Sequence, residues 1–285
     1  MKPPTFEYHR PDSVEAALAV LDRVGADGKV LAGGQSLVPI LNMRLAAPAH
    51  LVDINRLAEL AYIDDSGGAV KIGALARHAD VERRAGGLLR QATAHVAHPV
   101  IRNRGTAVGS LVHADPAAEL PAVLAALGGT VTLASHAGRR EVGWDEFFVG
   151  PLESALRPGE LAVEAAFPHP PPGTGSAWLE VSRRRGDYAL CGVGMLVTLD
   201  DDRRVSRAVA GYVSVGPTPV RVELTEAVRG QQHDAVDWAS AAALARDSVT
   251  PEDDIHASAA YRRHLAGVLT ARAGAAAIDD AAGER

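Results

Sequence analysis

Residues 30–45, VLAGGQSLVPILNMRL, change character twice. Val30 and Leu31 read as the end of a strand. Gly33 and Gly34 then allow positive φ and leave no Cβ between the main chain and whatever lies above it. Leu37, Ile40, Leu41 and Leu45 follow at the i, i+3, i+4, i+8 spacing of one helical face, which places Ser36 at the N-cap. A strand, a glycine bend and a helix start in that order direct free N–H groups outward at the positive end of a helix dipole, which suits a phosphate. The same geometry also serves a tight connection that needs glycine for its turn alone, and the segment by itself leaves both readings open.

The rest of the chain sets the frame for that choice. At 285 residues it is long enough for about two domains, and 47% apolar with 22% charged residues is a globular balance. Aromatics make up only 4%, so alanine and valine must fill much of the core. A net charge of −6 leaves no electrostatic footprint for nucleic acid, and the run Arg183, Arg184, Arg185 is too short to change that. No apolar run approaches about 18 residues, so no membrane span is expected. The opening MKPPTFEYHRP has no apolar targeting region, and a cytoplasmic location is expected. With one cysteine, Cys191, the chain cannot build a disulfide framework, a CxxC redox pair, a thiolate zinc site or its own iron–sulfur cluster. Any electrons must travel on an organic cofactor or through a partner, and Cys191 reads as a small core residue.

Three units follow one another. In the first, residues 1–56, Asp12 and Glu15 form a capping-box pattern ahead of a stripe of Val14, Ala17, Leu18 and Leu21. Strands are expected at 29–32 and 50–54. The second unit, 57–172, holds the run HPVIRNRGTAVGSLVHADPAAELPAVLAALGGTVTLAS, where Asp115 before Pro116 predicts a helix start that Gly128 and Gly129 end. The proline- and glycine-rich FPHPPPGTGSAW, residues 167–178, separates it from the third unit, 173–285. There YALCGVGMLVTLD and RRVSRAVAGYVSVG predict adjacent strands, helices are expected near 222–229, 235–247 and 256–271, and IDDAAGER reads as a frayed tail. The fold class is α+β.

The familiar catalytic signatures are missing. There is no GxGxxG with a following acid, no GxxxxGK[ST], no HExxH and no GxSxG. What remains is a pair of bends, AGGQS at 32–36 and GTAVGS at 105–110, which would either converge on one diphosphate through exposed amides or be two unrelated turns. His113 and Asp115 lie just behind the second bend, where a structural histidine and a helix cap are sufficient roles.

The segments LAGGQSLVPILNMRLAAPAHLVDI, IRNRGTAVGSLVHADPAAELPA, RRRGDYALCGVGM, VGPTPVR and DIHASAAYRRHLAGVL together resemble, in order, the FAD-binding medium subunit of the molybdenum hydroxylases, the xanthine dehydrogenase and aerobic carbon monoxide dehydrogenase family. The resemblance implies a two-subdomain FAD fold of the vanillyl-alcohol-oxidase (PCMH) type, closed by a C-terminal α+β domain. It implies that Ala32, Gly33, Gly34, Gln35, Ser36 and Leu37 wrap the FAD diphosphate from the first bend, and Thr106, Gly109 and Ser110 from the second, with His113 and Asp115 close behind. Glu119 would contact the adenosine end, Asp187 and Tyr188 the isoalloxazine, and the backbone at Leu161 would border the ring. No residue would be an acid or base for the substrate, and no metal ligand is implied. The implied partners are a molybdenum-cofactor large subunit and a [2Fe-2S] small subunit in a heterohexamer, with NAD+, a quinone or oxygen as acceptor. Two departures stand out. The family's TIGG is TAVG here, and positive φ at Val108 would be costly. Ala162 replaces a larger aliphatic. They keep two alternatives in view, a free-standing flavoenzyme or small-molecule-binding relative and a flavin-free scaffold.

Overall fold

Three main sheets succeed one another along the chain in the computed structural model, which describes residues 2–283. Strands β1 (Glu7–His9), β2 (Gly28–Leu31) and β3 (His50–Asp53) form a parallel sheet in the order β1-β3-β2. Helix α1 (Val14–Val24) buries Ala17, Leu18 and Leu21, and α2 (Leu37–Asn42) lies in the β2–β3 connection. The second sheet uses β4 (Ile63–Asp64), β5 (Ala69–Gly73), β6 (Thr130–Ser135) and β7 (Gly138–Gly143). A small hairpin, β8 (Phe148–Gly150) and β9 (Glu153–Ser154), precedes its last member, β10 (Leu161–Pro168), and the order is β4-β5-β10-β6-β7. Between β5 and β6 run α3 (His78–Arg84), α4 (Gly87–Thr93), α5 (Pro99–Arg102), α6 (Ala107–His113) and α7 (Glu119–Leu127), with α8 (Trp144–Phe147) after β7.

The third sheet is an antiparallel meander of β11 (Thr174–Ser182), β12 (Ala189–Leu199), β13 (Val205–Val213) and β14 (Val220–Glu223), followed by α9 (Thr225–Val228), α10 (Ala239–Ser248) and α11 (Ala259–Ala281). Its central strand β12 is buried on both faces along most of its length, which is why it reads as a continuous apolar run. On one face Tyr212 bonds Thr270 of α11 at 2.6 Å. The other face receives α4 and α7: a Cβ on Gly194 would lie 3.1 Å from Leu88, and one on Gly211 would lie 2.3 Å from the Ala122 carbonyl oxygen. The fold class is thus α+β, as the sequence indicates. Cys191 is fully buried and burial pushes its thiol up to about 12, so it packs rather than reacts.

Several local expectations are corrected. The cap of α1 is Ser13, not Asp12, because Ser13 is the extended residue before the first helical one; its hydroxyl accepts from the Ala16 amide at 3.1 Å. Asp115 does not start a helix. Its carboxylate accepts from Ala117 N at 2.9 Å and its carbonyl from Ala118 N at 3.0 Å, while the Pro116 carbonyl accepts from Ser214 N at 2.9 Å. That Asx turn is tied to the end of β13, and the helix begins only at Glu119. Of the segment near 222–229 only Thr225–Val228 is helical, a single turn that follows the end of strand β14 at Glu223. The tail is not frayed before Ala281: Ala273, Ala277 and Ile278 are buried, and the Asp280 carboxylate accepts from Ser176 N at 2.8 Å. Glu284 and Arg285 lie outside the described residues.

Candidate functional site

The parallel sheet ends in a cleft. Leu31 and Asp53, the last residues of β2 and β3, pair side by side, and the chain leaves both strands at the carboxyl edge where such sheets bind ligands. Residues 31–35, Val38 and Pro39 form one wall and Arg10, Asp53, Asn55, Arg77 and Arg104 the rest, around about 660 Å³. The wall's decisive feature is its main chain. Among the described residues, the amides of Gly33, Gly34, Gln35, Ser36 and Leu37 have no internal acceptor, and the first amides to bond inward are Val38 N to Gly34 O and Ile40 N to Ser36 O. Gly34 makes the bend possible at φ +73°. Ser36 sits at the N-cap position but in αR backbone, and its hydroxyl makes no capping bond.

The two bends meet. A Cβ on Gly33 would lie 2.5 Å from Arg104 O and 2.7 Å from Gly105 Cα, so glycine is required for the backbones to touch. Two polar side chains absent from the sequence reading staple them. Asn55 donates to Ala32 O at 2.8 Å and accepts from Arg77 Nη2 at 2.8 Å; Arg77 Nη1 donates to Arg104 O at 2.5 Å. Tyr8 donates to the buried Asp53 carboxylate, whose pKa is lowered because hydrogen bonds from Tyr8 and Asn55 outweigh its burial. Burial and the neighbouring Arg104 charge push the Arg77 guanidinium down. An anion in the cleft relieves both costs. Arg77→Met is expected to leave the Arg104 carbonyl and Asn55 without a donor, at about 1–2 kcal/mol. Affinity for FAD, the dinucleotide that the resemblance implies, measured by fluorescence quenching should fall about tenfold, and an unchanged affinity would show the staple to be idle.

The second bend supplies less main chain than expected. Thr106 caps α6, its hydroxyl accepting from Gly109 N at 3.2 Å, while Ser110 N bonds Thr106 O at 3.0 Å and Ala107 N bonds Ala76 O at 3.2 Å. The cap uses the Gly109 and Ser110 amides and the Ala76 carbonyl takes that of Ala107, which leaves the Thr106 and Val108 amides and the Thr106 and Ser110 hydroxyl protons as donors among the described residues. Val108 is helical, not at positive φ, and its side chain is 2% exposed in the core, so TAVG carries no backbone cost. His78 lies beneath the bend, its Nδ1 2.8 Å from where a Gly105 Cβ would stand. Burial lowers its pKa to about 4, so it supports the bend as a neutral ring.

His113 closes α6 half buried, and Leu161 opens β10 with its side chain in the core and its backbone paired with Ala134. Ala162 is likewise buried in that core. None of these, nor Asp115 and Glu119, lines the cleft. Asp187 and Tyr188 lie in the loop before β12; Tyr188 is 69% exposed, not a packed strand residue. Partial burial, then the charges of Asp115 and Glu119, push its hydroxyl up, so these three are neighbours.

Glu119 itself is buried. Burial, with the Glu180 and Asp115 charges adding, pushes its carboxyl up to about 8 from an ordinary 4.5. Between those values the folded chain holds a proton that the unfolded chain has released, so this group makes stability fall as pH rises from about 4.5 to 8. Glu119→Gln removes the titration. Denaturant unfolding should show the variant gaining at least about 1–2 kcal/mol on its parent between pH 5 and pH 8; the cost of burying the amide is the same at both pH values and cancels in that difference. Equal differences at both pH values would refute it.

Known proteins match this chain along its length. The family profile described as FAD binding domain in molybdopterin dehydrogenase covers residues 4–170, and that described as CO dehydrogenase flavoprotein C-terminal domain covers 176–277. The chain is 44% identical over 284 residues to the 6-hydroxypseudooxynicotine dehydrogenase complex subunit alpha of Paenarthrobacter nicotinovorans, spanning 98% of this chain and 96% of that one. It is 37% identical over 286 residues to the caffeine dehydrogenase subunit beta of Pseudomonas sp. strain CBB1, spanning 98% and 97%. Its fold matches a chain of the carbon monoxide dehydrogenase from Hydrogenophaga pseudoflava with TM-score 0.91 and 36% identity, over 97% and 98% of the two chains.

Proposed function

The chain belongs to the FAD-binding medium subunits of the molybdenum hydroxylases, and from that premise we propose that it relays electrons within an oxidoreductase complex without touching the substrate. FAD is its cofactor. When bound, it supplies the one- and two-electron chemistry that side chains lack. The chain's own work is to seat and orient it.

The observation that carries this reading is the row of free amides from Gly33 to Leu37, of which Gly33, Gly34 and Gln35 line a cleft with three arginines. A diphosphate fits such a set: main-chain donors meet its oxygens, and Arg10, Arg77 and Arg104 balance its charge. Ala32 and the five amides would grip it from the first bend. The Thr106 and Ser110 hydroxyls and the backbone around Gly109 would close it from the second, with His113 behind them. Tyr188 and Asp187 would stand at the isoalloxazine, with the Leu161 backbone bordering the ring. Ring end for Tyr188 and adenosine end for Glu119 would put neighbours at opposite ends of an extended dinucleotide, so we assign Glu119 and Asp115 to the ring end. There a protonated Glu119 can donate as well as accept.

The partners in this reading are a molybdenum-cofactor large subunit and a [2Fe-2S] small subunit in a heterohexamer, with NAD+, a quinone or oxygen as acceptor. A single buried thiol supports that division, because this chain has no ligands for a cluster. Among the described residues no helix is long and apolar enough to cross a membrane. We place the complex in the cytoplasm and divide the chain at 1–56, 57–172 and 173–285. The helical Val108 removes one ground for a free-standing relative. Purification from the native host tests the reading: one FAD per chain in the absorption spectrum, with molybdenum and iron in co-purifying subunits, is expected. A colourless chain that takes up no added FAD overturns it.

A further inference from the structure

The strand that supports the cleft on one face carries an unrelated cluster on the other. In β1, Tyr8 points toward Asp53, so Glu7 and His9, two residues apart, project from the opposite face. Glu7 pairs in register with His50, the first residue of β3, which brings His50 to the same face. The cleft lies at the other end of β3.

We propose that Glu7, His9 and His50 bind one divalent transition-metal ion of the zinc type, with a remaining coordination position open to water. The distances carry the assignment. His9 Nε2 and His50 Nδ1 are 3.1 Å apart, and the Glu7 carboxylate presents Oε1 at 3.6 Å from the first and Oε2 at 3.5 Å from the second. Zinc held at about 2.0–2.2 Å by nitrogen and oxygen in tetrahedral geometry separates its ligand atoms by roughly 3.3–3.5 Å, so one ion reaches all three with small side-chain adjustments. A hydrogen bond between the two rings accounts for the first distance alone; it gives no reason for one carboxylate to face both nitrogens. Two imidazoles and a carboxylate select zinc, cobalt or nickel over magnesium or calcium, whose sites are built from oxygen. His9 and His50 side chains are 11% and 26% exposed and that of Glu7 66%, so the nitrogens are held and the carboxylate side admits the ion. Bound there, the ion would cross-link edge strand β1 to β3 and stiffen the strand whose Tyr8 holds Asp53.

The test uses the untagged full-length chain with its FAD, freed of metal by a chelator. Co2+ is followed by its visible absorption and Zn2+ by calorimetry. One Co2+ per chain with the strong bands of tetrahedral coordination, displaced by one Zn2+, is expected, together with a rise in melting temperature on adding Zn2+. The Glu7→Gln variant, altered at an exposed side chain, should fold normally and bind Zn2+ at least tenfold more weakly. The double variant His9→Gln, His50→Gln should lose the bands. Absence of stoichiometric Co2+ or Zn2+ binding, or affinity unchanged by Glu7→Gln, overturns the proposal.

Discussion

A Gly33→Ala chain is expected to purify nearly free of flavin, with less than a tenth of the parent's FAD per chain. The added Cβ would stand 2.5 Å from Arg104 O and 2.7 Å from Gly105 Cα. Both are main-chain atoms, so no rotamer change relieves the overlap, and the bends must separate. They cannot do so freely, because Asn55 and Arg77 bind the carbonyls of both. The strain sits at the upper end of the overpacking range, about 3 kcal/mol. Since about 1.4 kcal/mol is a factor of ten, it is enough to empty the site if the amides from Gly33 to Leu37 lose their alignment. Gly34→Ala is the internal comparison. Its neighbours at 3.2 Å are the ends of the Leu31 and Val38 side chains, which can move, and the main cost is φ +73°, about 1–2 kcal/mol. That variant should keep part of its FAD. Absorbance at the flavin band per chain, with the melting temperature of each apo-protein, separates the two. Equal flavin content in both variants would contradict a steric seam at Gly33.

What the sequence made legible follows the range of the forces involved. The strand–bend–helix order of residues 30–45 is local: two glycines and the start of one helical stripe suffice, and β2, Gly34 and the first turn of α2 appear where they are expected, although α2 ends at Asn42 and leaves Leu45, the last member of that stripe, outside it and exposed. The same holds for the meander of β12 and β13, where apolar runs flank an acidic turn. The failures are tertiary. Asn55 and Arg77 are ordinary polar residues until folding brings the carbonyls of Ala32 and Arg104 beside them. The one available signal is position, since Asn55 stands two residues beyond the end of β3. Asp115 had every mark of a helix cap, yet a bond from Ser214, almost a hundred residues on, holds Pro116 in a turn. The tail from Ile278 carries no sequence signal of order; that order comes from Ser176, which only the sheet places within reach of Asp280. His9 and His50 are separated by 41 residues, and nothing in the linear spacing suggests a pair.

The opposite failure to Gly33→Ala is expected from Gly211→Ala, which should keep its flavin and lose stability. Gly211 lies near the end of β13, where α7 crosses so closely that a Cβ would be 2.3 Å from Ala122 O and 3.0 Å from Ala126 Cβ. Leu120 and residues 122–125 of α7 are fully buried, so the helix cannot retreat without opening a cavity on its far side. The sheet must move instead, again at about 3 kcal/mol, and a fall of several degrees in melting temperature is expected. The cleft amides stand on the first sheet and are spared, so FAD per chain should stay near one. The displaced sheet carries the loop of Tyr188, whereas Glu119 opens α7. Their separation should therefore change, and with it the quenching of flavin fluorescence and the rate at which the bound flavin reacts with an external acceptor. Gly68→Ala, with open space where its Cβ would go, is the neutral control. If Gly211→Ala melts with the parent and reacts at the parent's rate, β13 and α7 do not meet as described and the ring end is built without their contact.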